Sequence, residues 1–122
     1  VVDELVRRAP VSAVPQLNVV KAELFKGLAH PHRIRVLELL SQHGELPVGT
    51  LIELTGLEPS HMSQHLRVLR GYGLVVSERR GSAVYYRLAH GSVDGLLLAA
   101  RTLLAEVLAH RRALANVSVP PQ

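Results

Sequence analysis

Hydrogen-bonding chemistry is concentrated in one short stretch, at Ser60, His61, Ser63, Gln64 and Arg67. A glutamine carries a donor and an acceptor that can pair bidentately with adenine. An arginine fork matches guanine or a phosphate in the same way. The set contains no carboxylate, so it suits a partner that offers base edges and negative charge. For each residue alone, a phosphate contact or simple solvation is the alternative use. His65 sits beside the apolar stripe of the same stretch, where a structural hydrogen bond suits it better than a base. Other pairings do not lead to catalysis. Ser63 with His65, or His90 with Asp94, makes a dyad on paper, but no third group orients either. No glycine-rich phosphate loop is present either. Neither an enzyme nor a cofactor is expected.

The stretch must be held by a helix. Met62, Leu66 and Leu69 recur at the spacing of a buried helical stripe, which turns the five polar residues outward. Pro59 suits the first turn, and Glu58 falls at the cap, where Ser or Thr would bind the free N–H groups better by about 1 kcal/mol. Before it, residues 47–56 read as a short helix that buries Val48, Leu51 and Ile52 and closes at Gly56. Two short helices joined by a tight turn, the second with a polar outer face, form the helix-turn-helix pattern. Thr50, near the start of the first, and Arg70, at the far end of the second, are weaker phosphate candidates.

Upstream, residues 19–29 form an amphipathic helix with Val20, Leu24 and Leu28 inside. Pro31 ends it and opens the next helix, in which Ile34, Leu37 and Leu40 point inward and Gly44 is the cap. Arg33 and Arg35 flank that stripe, and an ion pair with Glu38 or Glu23 competes with any contact to a nucleic acid. After Gly73 the apolar period changes from 3.6 to 2. Residues 74–79 and 82–88 read as two strands of a hairpin whose tip carries Arg79 and Arg80. These two arginines suit phosphate or minor-groove contact. A hairpin in this place is a wing. The last helix, from Ser92 to Ala115, has nearly two apolar faces, so one of them needs a partner. A second copy of the same helix is the simplest.

The expected fold is therefore mainly α within α+β: four helices, two strands and a fifth helix. Residues 1–18 are expected as a loosely docked arm, 19–115 as the domain and 116–122 as a frayed tail. The chain has 122 residues and a net charge of +4, from 14 Lys and Arg against 10 Asp and Glu. That is one domain with a modest basic surplus, a weak pointer to nucleic acid. It has no cysteine, which excludes disulfides and thiolate metal sites within it. No apolar run spans a membrane and no secretory signal is visible, so a cytoplasmic home is expected.

Residues 24–40, the helix pair, Ser63-Gln64-His65-Leu66, Leu69-Arg70, Gly73-Leu74-Val75 and the closing VYYRL resemble the ArsR/SmtB family of winged helix-turn-helix repressors. The resemblance implies a bacterial or archaeal homodimer joined through its first and last helices. It would bind double-stranded operator DNA as an inverted repeat and release it on a signal. Many relatives sense metals. The family's cysteine site is absent here. Its site on the last helix has only partial counterparts in His90 and Asp94 at the start and in Glu106 and His110 further on. Capping or ion pairing suits these four better. A small organic effector at the dimer seam, a partner protein or no effector at all then remain open. So does a winged helix used only to bind protein, although Arg79 and Arg80 speak against it.

Overall fold

The computed structural model describes residues 14–118. Five helices and three strands follow in chain order among them: α1 (Val14–Leu28), α2 (Pro31–His43), β1 (Glu45–Pro47), α3 (Val48–Thr55), α4 (Pro59–Gly71), β2 (Val75–Arg80), β3 (Ala83–Leu88) and α5 (Gly91–Ser118). The sheet is antiparallel with order β1-β3-β2. This is the mainly helical winged helix-turn-helix architecture expected from the sequence.

The core is aliphatic. Val36, Leu37, Leu39 and Leu40 of α2 meet Leu51 of α3, Met62, Leu66 and Leu69 of α4, and Leu74, Val75 and Tyr86 of the wing. Each such leucine stabilises the fold by about 1.5–3 kcal/mol through burial. Val93 is also buried and seats the first turn of α5.

The structure differs from the sequence expectation in two helix ends, one added strand and two exposed side chains. Helix α1 begins at Val14, not Val19. Pro15 does not stop it, because a first-turn proline lacks only an N–H that would be unpaired anyway. The expected arm therefore loses residues 14–18 to the helix, and its remainder, 1–13, lies outside the described residues. Helix α5 runs on to Ser118, beyond Ala115, and the rest of the expected tail, 119–122, also lies outside. Strand β1 was not expected: Leu46 pairs with Tyr86 and Glu45 with Arg87, which joins the wing to the start of α3. Ile34 and Val20 are exposed rather than inside. The side of α2 that faces the core is centred on Val36 and Leu40, and Val20 is on a face of α1 that no other part of the described chain covers.

The corner between α1 and α2 is closed by side chains. The guanidinium of Arg33 donates to the carbonyls of Gly27 (2.7 Å) and Lys26 (3.0 Å), capping the end of α1. This takes the place of the expected ion pair, because Glu23 is held by Lys26 at 2.9 Å. Gly27 lies against the Tyr72 ring, and a Cβ there would come within 2.8 Å of it. Gly27→Ala gains about 1 kcal/mol of helix propensity but must displace the base of that ring, at about 1–3 kcal/mol. We expect a net fall in stability, read as a lower denaturant midpoint with an unchanged m-value.

Candidate nucleic-acid interface

Local chemistry fixes the angle of the helix pair. Helix α3 ends at Gly56, which has a left-handed φ of 71°. Its N–H donates to the Ile52 carbonyl at 2.8 Å. The Thr55 hydroxyl donates to the Leu51 carbonyl (2.7 Å) and accepts from the Leu57 N–H (3.3 Å). Three residues later Pro59 opens α4, with Glu58 at the cap making no side-chain cap bond. The entry into α4 therefore rests on proline geometry and on the Met62 N–H bond to the Glu58 carbonyl, 2.9 Å. At the far end Leu74 N–H donates to the Leu69 carbonyl, and the chain turns through Gly73, φ 74°, into the wing.

With Met62, Leu66 and Leu69 locked inward, Ser60, His61, Ser63, Gln64 and Arg67 are all exposed on the outside of α4. Thr50 is half-buried near the start of α3.

The two wing arginines are not equivalent. Successive strand residues point to opposite faces. Arg79 pairs with Val84 and Arg80 with Ala83. Arg79 shares its face with Ser77, whose hydroxyl lies 3.5 Å from Arg70 of α4. Arg67, Arg70 and Arg79 thus belong to one side of the molecule. Arg80 faces the other way. Its guanidinium donates to both carboxylate oxygens of Glu45 (2.7 and 2.9 Å) and to Glu78 (2.6 Å), 4.6 Å above the Tyr85 ring. The hydrogen bond to Glu45, then that to Glu78, raises its pKa. Arg80 ties the hairpin to β1, whereas Arg79 has no ion pair among the described residues. The hairpin turns through Gly81, φ 63°, the left-handed geometry a two-residue loop requires.

Of the four residues weighed as metal ligands, His90 stands just before α5 and Asp94, Glu106 and His110 are spread along it. Asp94 accepts a hydrogen bond from the Ser41 hydroxyl of α2. Glu106 and His110 are exposed and begin twelve residues further on, about 18 Å at the helical rise. Among the described residues, no group of three His, Asp or Glu is placed to hold an ion.

One cluster was missed from the sequence. His65 does not find the expected hydrogen bond: its Nδ1 is sealed from solvent and has no protein partner. Its ring packs 4.5 Å from that of His30 and 5.7 Å from that of His32. Burial lowers its pKa below the usual histidine value, and His30, Arg33, His32 and His61 lower it further. Only the single His30-Pro31-His32 at the α1–α2 corner hinted at this, and nothing in the sequence linked it to a residue more than thirty positions away.

Residues 28–78 match a family model described as a helix-turn-helix domain. Over 99 residues the chain is 48% identical to the HTH-type transcriptional regulator Rv0081 of Mycobacterium tuberculosis, covering 80% of this chain and 86% of that protein. The crystal structure of Rv0081 superposes with a TM-score of 0.74 over 78% of this chain and 95% of that one. The homodimeric winged helix-turn-helix DNA-binding domain Mb0332 of Mycobacterium bovis, described as a possible ArsR-family transcriptional regulator, is 31% identical. Its TM-score is 0.72, with 84% of this chain and 94% of that one covered. The transcriptional repressor PagR of Bacillus anthracis is 36% identical over 76 residues, 62% of this chain and 76% of its own. The chain belongs to the ArsR/SmtB family of winged helix-turn-helix transcriptional regulators. These relatives regulate transcription and are not enzymes, and no described helix is long and apolar enough to cross a membrane.

Proposed function

We propose that the protein is a homodimeric repressor that reads an inverted-repeat operator in double-stranded DNA. The observation that carries this is the outer face of α4, where five hydrogen-bonding side chains stand exposed and free of carboxylates between Ser60 and Arg67. In a helix-turn-helix the second helix enters the major groove with its N-terminal residues toward the bases. Gln64 and Arg67 then read base edges, with His61, Ser60 and Ser63 beside them. Thr50 and Arg79 bind phosphate. Arg80, committed to Glu45 and Glu78, acts first as a brace for the wing and reaches DNA only by giving up those partners.

The dimer rests on α5 and α1. From Leu98 to Asn116 every residue of α5 is exposed, including Leu103 and Leu104 at 62% and 57%. On α1, Phe25 is 54% exposed. These apolar residues lie beside one groove, lined by Phe25, Leu28, Ile34, Leu97 and Leu104. A monomer in water would leave this area uncovered, and a twin helix pair covers it by symmetry. Mb0332 is a homodimer, which supports assembly of two copies. A small molecule bound at this seam would couple directly to the spacing of the two reading helices.

Selection of bound duplexes from a random pool tests the reading. We expect an inverted repeat, with half-sites about one helical turn apart. Affinity should fall linearly in log–log with salt as phosphate counterions are released. Enrichment of no sequence at any salt would favour a winged helix that binds protein.

A further inference from the structure

The histidine cluster joins two parts of the molecule that the proposed function needs to keep in register. His30 and His32 stand at the start of α2, and His65 stands on α4 directly after Gln64. A groove between them is lined by Leu57, His61, Gln64 and Val68 as well. Two of the ring nitrogens have surroundings that bear on what an added hydrogen would do. The Nδ1 of His30 accepts from the His32 N–H at 3.1 Å, which forms the N-cap of α2. Protonated, that nitrogen would face the N–H as a second donor and the cap would be lost. The Nδ1 of His65 is enclosed with no acceptor in reach, so an added N–H there would be buried unpaired.

The surroundings offer no relief. The groups acting on His65 are His30, His32 and Arg33 from the α1–α2 corner and α2, and His61 from α4 itself. All are cationic or become so in acid, and no carboxylate is among them. The rings are 4.5 to 5.7 Å apart, so a second positive charge meets the first at close range.

We propose that His30, His32 and His65 form a proton-sensitive latch between the α1–α2 corner and the DNA-reading helix, closed when neutral and forced apart by acid. The linkage has one sign. A histidine whose folded form resists protonation leaves stability intact above about pH 6.5 and withdraws it as pH falls toward the folded value. Because the latch holds the segment that carries His61 and Gln64, opening it misplaces them, and specific DNA binding weakens in acid. That last step rests on the proposed DNA-reading function. The latch itself does not.

The test uses the full chain in two experiments. In the first, histidine ring signals are followed by NMR from about pH 8 to pH 5 without DNA. We expect His65 to titrate below the usual histidine value of about 6.5, with the Gln64 amide shifting in step. Titration of His65 at or above that value would overturn the latch whatever the protein does with DNA. In the second, affinity for the selected duplex is measured over the same range at constant ionic strength. We expect a loss of about tenfold per pH unit for each linked proton, and a much flatter profile in His30→Asn. That variant keeps a side-chain cap but cannot titrate, and His65→Leu serves as the second case. Parallel profiles in wild type and both variants would refute the coupling to DNA. Retention of zinc at neutral pH, lost in the same variants, would reassign the cluster as a metal site.

Discussion

Replacing Gln64 and Arg67 together by alanine is expected to reduce operator binding to the level of random DNA while leaving the fold intact. Both side chains are exposed on α4 and neither makes a protein hydrogen bond among the described residues. Alanine also raises helix propensity, so thermal stability should hold or rise slightly. Each bidentate base contact discriminates by about 1–3 kcal/mol, and a two-fold dimer makes each of them twice. Loss of both removes most of the gap of about 10³–10⁷ that separates specific from non-specific binding. Non-specific binding should survive with much of its salt dependence, because Arg79 and the backbone contacts remain. A gel shift with operator and scrambled duplexes at two salt concentrations separates these terms. Retained preference for the operator would move the reading residues off this helix.

Disrupting the seam should have an effect of similar size by a different route. Leu104→Glu with Leu108→Glu places two carboxylates where α5 is expected to meet its twin. In the single chain these leucines are 57% and 40% exposed, so the fold itself loses little. The dimer must bury two charges from each copy or separate. We expect a monomer in sedimentation at micromolar concentration. Operator affinity should fall by about 10²–10⁴, because the second half-site is no longer reached within one complex. A dimer that persists would place the interface elsewhere.

Much of this molecule was legible in its residues, and what was not has physical causes. The stripe of Met62, Leu66 and Leu69 announced α4 because a helix repeats its inward face within seven residues. The wing was legible because the switch to period 2 at Val75 is abrupt. Strand β1 was not: three residues ending in Pro47 show no alternation, and they become a strand only because β3 offers Tyr86 and Arg87 as partners. The start of α1 was not legible either, because Pro15 fits the first turn of a helix as well as a break ahead of one. The five outward residues of α4 fell where expected, since local periodicity alone decides their side. The division of labour between Arg79 and Arg80 needed the exact strand register, and the partner Glu45 lies thirty-five residues away. The His30–His65 contact is equally remote in sequence, so no spacing rule could reveal it.

The three-residue strand has a consequence for how such a molecule can be switched. Leu46 is sewn to Tyr86, and Pro47 leads without a break into α3. The hairpin and the start of α3 are thereby riveted to one chassis, and neither can swing alone without tearing the shared seam of backbone bonds. Apart from the histidine corner, a signal that loosens the grip of the proposed dimer on a duplex then works the hinge between one protomer's chassis and the next. The stroke of the switch would then be a change of wingspan between two rigid halves.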